Sequence, residues 1–254
     1  NNACRSIFNP IMNLFYRFAW FFLLSSPFTL GTSFAEETNQ SSETPAPFDA
    51  NESKGTPDPA LAYVIPIKDQ IGSPILDILR RGLKDAIREE ATVVILDMDT
   101  PGGELGVTLE IMQEIIESLE KFEGKIITYV NPEAISAGAY IAIATSEIAF
   151  SPKSQIGAAE AVSGGGGNID ASMKRKINSY LKAKIRNYAG DYRYRSQVMS
   201  AMMDANESLV IEGEPLKAAD GSMIKKAGEL LTLTGREACQ FYGEPPAPLL
   251  GFGV

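Results

Sequence analysis

The sequence contains no histidine. This removes the side chain that most often accepts a proton near neutral pH. With only two cysteines as well, tetrahedral zinc sites of the usual kind are excluded. Basic residues are also scarce relative to acidic ones, 23 against 32, for a formal charge of −9 over 254 residues. An acidic chain without a basic stripe is not built to hold a phosphate backbone, so no nucleic-acid partner is expected. Long apolar runs are missing too. The most hydrophobic stretch, "FAWFFLL" at 18–24, is far short of the ~20 residues that cross a bilayer.

That short run has a recognisable setting. Arg5 and Arg17 are the only charged residues in the first 35, and "SSPFTLGTSFA" follows with Ser33 and Ala35 at small-residue positions. A basic start, a short apolar centre and a small-x-small exit describe a secretory signal over 1–35, with an uncleaved anchor as the alternative. The chain is therefore expected to be exported, to the periplasm or the extracytoplasmic side of a membrane. Cys4 would leave with the signal, and Cys239 alone cannot form an intrachain disulfide. Residues 36–60 are polar and rich in Pro, Ser, Thr and Glu, the composition of a disordered linker.

From Leu61 onward apolar segments alternate between short runs and helical spacing. "LAYVIPI", "TVVILDM" at 92–98, "KIITYV" at 125–130 and "EIAFS" at 147–151 read as strands. The second is apolar at almost every position, which predicts cover on both sheet faces. Between them, 73–90 and 104–122 carry apolar residues on one helical face, with Ser73 as the expected N-cap and Pro74 in the first turn. Alternation of this kind predicts an α/β fold, a mainly parallel sheet joined by right-handed crossovers. "SGGGG" at 163–167 reads as a flexible loop, and a long helical stretch from about Asp170 to Asn206 is expected to break near Gly190. Thr234 reads as a helix N-cap. The final "PPAPLLGFGV" reads as an apolar, uncapped tail, and the natural chain is expected to continue past it.

Two turns carry candidate chemistry. "DTPGGE" at 99–104 falls at the end of a strand, at the carboxyl edge where open α/β sheets bind ligands. Gly102 and Gly103 there could present backbone N–H groups to an oxyanion; an ordinary tight turn is the alternative. "EAISAGAYIAIA" at 133–144 places Ser136 between a strand and a helix. The Ala137 N–H would follow this nucleophile directly, and Gly138 would keep the approach clear for a substrate backbone. A small-residue helix packed on its neighbour fits the same letters. A serine is inert near neutral pH without a base, and here the base must be a lysine or a carboxylate. In "DASMKRKINSYLKAKIRNYA" at 170–189, Arg175, Ser179, Lys182 and Arg186 share a polar stripe, whereas Lys176 is flanked by Met173, Ile177 and Tyr180. Lys176 is therefore the lysine expected to be partly buried and lowered in pKa; a snorkelling surface lysine is the alternative.

In order along the chain stand "VIPI", "LDMDTPGGE", "AISAGAYIA", "SPKSQIGA", "KINSY" and "LLTLTGREA". Together they resemble the N-terminal protease domain of NfeD-type, ClpP-class membrane-associated serine proteases, over about residues 61–243. The resemblance implies a ClpP/crotonase-like fold for 61–254, with Ser136 as nucleophile, Lys176 as general base, and Gly103 and Ala137 as the oxyanion hole. It also implies homodimers and cleavage of hydrophobic peptide segments such as those of stomatin-like membrane proteins. No cofactor is implied. Two rivals stand beside this reading. One is a crotonase-type acyl-CoA enzyme acting through Glu133 or Glu160; the other is a catalytically inactive, ClpP-like scaffold for a membrane partner.

Overall fold

The computed structural model describes residues 61–162, 169–190 and 192–253. The expected signal, the linker and the "SGGGG" loop lie outside these residues. In chain order the elements are β1 (Ala62–Lys68), α1 (Ser73–Arg88), β2 (Val93–Thr100), α2 (Leu105–Leu119), β3 (Lys125–Ile135), α3 (Ala137–Ile143), β4 (Glu147–Phe150), β5 (Gln155–Gly157), α4 (Ala171–Tyr188) and α5 (Arg195–Met203). They are followed by β6 (Val210–Ile211), β7 (Glu214–Pro215), β8 (Thr232–Thr234), α6 (Gly235–Ala238), β9 (Phe241–Tyr242), β10 (Ala247–Pro248) and β11 (Phe252–Gly253).

Strands β1, β2, β3, β4 and β11 lie side by side in that order, all parallel, as the strand–helix alternation requires. The far half of β3 leaves β4 and pairs instead with β5, which pairs in turn with β8. The cause is visible in the register. Met98 faces Val130, but Thr100 faces Ala134, so β3 carries two extra residues there. Such a bulge bends a strand and re-aims the residues beyond it, here Ile135 and Ser136.

The helical face of the sheet is closed. Ile65, Ile67, Val94, Leu96, Met98, Ile126, Val130, Ile148 and Phe150 are buried with the inward residues of α1, α2 and α3 in one apolar cluster. The other face departs from expectation. Along β2 burial alternates strictly, and Val93 and Ile95 stay half-exposed, so this strand is not covered on both sides. Its apolar run reflects β-propensity on an open face as well as burial.

Helix boundaries follow local chemistry with one shift. α1 is capped by the extended backbone of Gly72, one residue before the expected Ser73, and Pro74 sits in its first turn. The long helical stretch breaks after Tyr188, giving α4 and α5. At α6 the Thr234 hydroxyl accepts from the Glu237 N–H while the Glu237 carboxylate accepts from the Thr234 N–H, a complete capping box. The tail read as apolar and uncapped is integrated: Leu249 and Leu250 are buried, and β11 extends the sheet along β4.

Candidate active site

The turn after β2 and the turn after β3 meet in direct contact. Gly102 has φ of +114°, and a Cβ built there would lie 2.6 Å from the Ser136 Cβ and 3.0 Å from its Oγ. Only glycine satisfies both the dihedral and the space. The turn is fixed by Thr100, whose hydroxyl accepts from the Gly102 N–H at 3.2 Å and donates to the Asp69 carbonyl. At Gly103 a Cβ would fall 2.1 Å from the Ile71 carbonyl oxygen. The backbone bonds of that approach run from Ile71 N–H to Gly102 carbonyl and from Glu104 N–H to Ile71 carbonyl. In a parallel bridge of this type the Gly103 N–H faces the opposite side, and Gly103 itself is exposed.

Ser136 occupies an unusual conformation, φ +52° and ψ −111°, which costs a non-glycine residue about 1–3 kcal/mol. Its N–H donates to the Gly157 carbonyl at 2.9 Å, holding the strained turn. It stands at the N-cap of α3, yet its side chain makes no capping hydrogen bond. The hydroxyl is thus spared from its common structural use and left half-exposed. Ala137 is the first residue of α3, where a backbone N–H has no partner inside the helix.

These groups open on one cavity of about 670 Å³. Its lining includes Gly103, Ser136 and Ala137, with Leu105 and Thr108 from α2, Tyr140 from α3, and the chain Ala159–Val162 opposite. That opposite wall is pinned at several points. The buried Tyr140 hydroxyl donates to the Ala159 carbonyl at 3.0 Å, the Ala159 N–H donates to Met202, and the Ala158 N–H donates to Leu231. Burial pushes the Tyr140 phenol far up, so it remains a neutral donor.

Of the six site residues expected from sequence, Ser136, Gly103 and Ala137 line the cavity, and Gly102 lies directly beneath Ser136. Gly138 is buried toward the sheet, where a Cβ would meet the Thr100 methyl at 2.7 Å. It lets α3 approach β2 and offers no surface to a substrate. Lys176 is exposed on α4 and is not among the lining residues. The apolar side chains expected to bury it, Met173 and Tyr180, are themselves about half-exposed. α4 turns a different face inward, burying Asn178, Leu181 and Ile185. Lys182, expected in a wet stripe, is instead held by Asp204 at 3.1 Å and by Glu207.

One lysine does reach the cavity wall. The Lys174 ammonium lies 2.8 Å from the carboxylate of Glu160, a lining residue. Neither Lys174 nor Thr100 nor Gly157 stands out in the sequence as a site residue. The i, i+2 contact of Thr100 with the glycine turn was open to a local reading, whereas the Gly157 carbonyl reaches Ser136 only through the β3–β5 pairing.

Comparison with known proteins gives the family and the fold. Residues 61–244 match the family described as NfeD1b, N-terminal domain. Membrane protein NfeD1b of Bacillus subtilis is 32% identical over 178 residues, covering 70% of this chain and 36% of its own length. Membrane-bound protease PH1510 of Pyrococcus horikoshii is 33% identical over 163 residues, 62% of this chain and 35% of its own. The chain thus spans about a third of the length of the curated relatives it matches. Among solved structures, a serine-to-alanine mutant of the 1510-N membrane-bound stomatin-specific protease superposes with a TM-score of 0.57 at 26% identity, covering 77% of this chain and 80% of that one. A lysine-to-alanine mutant of 1510-N in complex with a substrate peptide superposes with the same TM-score and identity, covering 75% of that chain. The mainly parallel α/β fold is shared with the 1510-N protease, the chain is related to a membrane-bound protease, and it belongs to the NfeD1b N-terminal domain family.

Proposed function

We propose that residues 61–254 form a serine endopeptidase domain that works through a Ser136–Lys176 dyad. The observation that carries the reading is the state of Ser136: strained, uncapped and open to a cavity, beside the Gly103 and Ala137 amides. Ser136 Oγ attacks a peptide carbonyl as neutral Lys176 takes its proton. The Gly103 and Ala137 N–H groups hold the oxyanion, each such donor contributing about 3 kcal/mol to the transition state. Lys176 then returns the proton to the leaving amine, and water repeats the cycle to release the acyl-enzyme. An exposed lysine is a poor base, because water stabilises its charged form. The reading therefore assigns the closing of the dyad to the bound state, in which an apolar peptide desolvates Lys176; catalytic contacts often tighten only then.

The substrate in this reading is a hydrophobic segment of a membrane-associated protein, by analogy with the relative whose solved form is described as stomatin-specific. A cavity with Leu105, Ala161 and Val162 in its lining suits apolar side chains. Export through the 1–35 signal and homodimer formation belong to the same proposal. Among the described residues no helix is long and apolar enough to cross a membrane. The exposure of Lys176 favours one second reading, a non-catalytic domain that holds a membrane partner in the same cavity.

Cleavage tests the choice. Residues 36–254 are incubated with mixed hydrophobic peptides, alone and as Ser136→Ala and Lys176→Ala, and products are read by mass spectrometry. Loss in both variants establishes the dyad. Cleavage surviving Lys176→Ala removes the lysine assignment, and peptide binding without cleavage by any form supports the holding domain.

A further inference from the structure

Arg195 is one of the largest fully buried side chains of the domain, with 1% of its surface exposed. Nothing in the proposed chemistry uses it. Its guanidinium lies over the Tyr192 ring, 3.5 Å from the centroid. It donates to the carbonyls of Thr145 at 2.7 Å, Ser146 at 3.3 Å and Ile143 at 3.4 Å. The Tyr192 hydroxyl donates to the same Ser146 carbonyl. These acceptors are the end of α3 and the turn that leaves it. The last carbonyls of a helix lack internal partners and carry its negative pole, so a cation there satisfies both needs. Burial pushes the Arg195 pKa down to about 10, leaving it cationic at neutral pH.

The other end of α3 is the candidate oxyanion hole. The helix has seven residues, all buried, and its ends are only about 10 Å apart, so a shift at one end is transmitted to the other. The element that grips its C-terminus also grips the opposite cavity wall. Arg195 begins α5, and Met202, one residue from its end, accepts the Ala159 N–H at 2.8 Å. α5 thus adds a second tie between α3 and the Ala159 wall, beside the direct bond from the Tyr140 hydroxyl to the Ala159 carbonyl.

We propose that Arg195 is a positioning residue for catalysis, holding α3 so that Ser136 and the Ala137 amide stand in register with the Gly103 amide. The kinetic part of this proposal rests on the peptidase reading, and the structural part does not. An apolar side chain of similar volume would fill the space but take this donor away from the Ile143 and Thr145 carbonyls and loosen the end of α3.

The test compares Arg195→Met with Arg195→Lys in the 36–254 protein. With the best peptide from the cleavage experiment, Arg195→Met is expected to lower kcat by about 10- to 100-fold, the scale of a misplacement near 1 Å, with KM within about threefold. Arg195→Lys recovers part of the loss, since an ammonium still reaches the carbonyls. In parallel, amide hydrogen exchange over 134–146 is expected to quicken in Arg195→Met while β1 and α1 keep wild-type rates. Unchanged kcat, an effect on KM alone, or a lysine variant worse than methionine overturns the proposal, since a purely space-filling role ranks methionine first. If the wild-type protein cleaves nothing, the peptidase reading fails by itself. The exchange arm then still decides whether Arg195 holds α3, and wild-type exchange across 134–146 in both variants overturns that as well.

Discussion

The two halves of the candidate site are built in opposite ways. The nucleophile half is rigid and backbone-made. Gly102 and Gly103 admit contacts that no Cβ would allow, the β3 bulge swings Ser136 over them, and hydrogen bonds from Ser136 and Thr100 hold the turns. The base half is a polar helix that keeps only Asn178, Leu181 and Ile185 fully buried and leaves Lys176 exposed. The contrast teaches where a Ser–Lys dyad stores its specificity. In the proposed reading the Gly103 and Ala137 amides stand ready before substrate arrives, whereas a lysine needs desolvation to become a base and can acquire it from the substrate. In that reading such a division would keep the protein idle until a peptide binds.

The comparison breaks most sharply at its chemical centre. Ser136→Ala is expected to remove cleavage by about 10⁴-fold or more, the scale for loss of a nucleophile, with folding intact by circular dichroism. Lys176→Ala is expected to cost about 10²- to 10⁴-fold in kcat. Lys174→Ala is its control. Lys174 reaches the cavity wall only through Glu160, so its removal frees that carboxylate and is expected to shift KM, leaving kcat within about threefold. A kcat collapse in Lys174→Ala with full activity in Lys176→Ala would exchange their roles. The measurement is steady-state kinetics on one peptide across the three variants.

A smaller blow tests the rigid half. Gly102→Ala adds a Cβ 2.6 Å from the Ser136 Cβ and forces alanine to φ +114°. It is expected to cost about 2–4 kcal/mol of stability from strain and overlap and about 10²-fold in kcat, since Ser136 must shift. Urea denaturation and kinetics below the unfolding transition separate the two effects. A Gly102→Ala protein of wild-type stability and activity would mean that the turns do not touch as described.

The same division explains what could be read from the letters. Strand runs and helical faces located the parallel sheet, because burial on its helical face imposes period 2 or 3.6 directly on the residues. The glycine pair was legible because close backbone approach permits almost nothing else there, and Ser136 because it stands between small residues at a strand-to-helix turn. Gly138 shows the limit of that logic: the same smallness that clears a path for substrate also lets α3 press on Thr100, and only packing decides. The face that α4 presents was misjudged because Met173 and Tyr180 look like core residues but are left outside, while Lys182 turns inward to carboxylates far along the chain. β11 escaped for a related reason. Two residues carry no period, and their pairing with β4 joins positions about a hundred residues apart. Arg195 was invisible since nothing local distinguishes a buried arginine from a solvated one.

The smallest expected effect concerns how α4 is anchored. Asp204 accepts from Lys182 and from the Asn178 amide, tying α4 to the turn after α5. Burial alone would raise the Asp204 carboxyl, but the Asn206 N–H and the Lys182 ammonium outweigh it, and its pKa is lowered from 3.8. A depressed carboxylate contributes stability that is complete above its unfolded pKa and lost as the pH falls through the folded one. For Lys182, burial lowers the pKa, but bonds to Glu207 and Asp204 raise it above 10.5, so its contribution is lost only as the pH climbs past that value. The α4 anchor should therefore hold between about pH 4 and pH 10 and weaken on both sides. Asp204→Asn is expected to cost about 1 kcal/mol at pH 7 and to flatten the acid limb of the stability profile, measured by urea unfolding from pH 3 to pH 7. If the anchor is what keeps α4 able to present Lys176, the same variant loses cleavage activity in proportion to α4 exchange, while hydrogen exchange over Ser136 and α3 stays at the wild-type rate. Equal loosening of both halves would show that they form one cooperative unit, and the contrast between a preformed hole and a recruited base would fail.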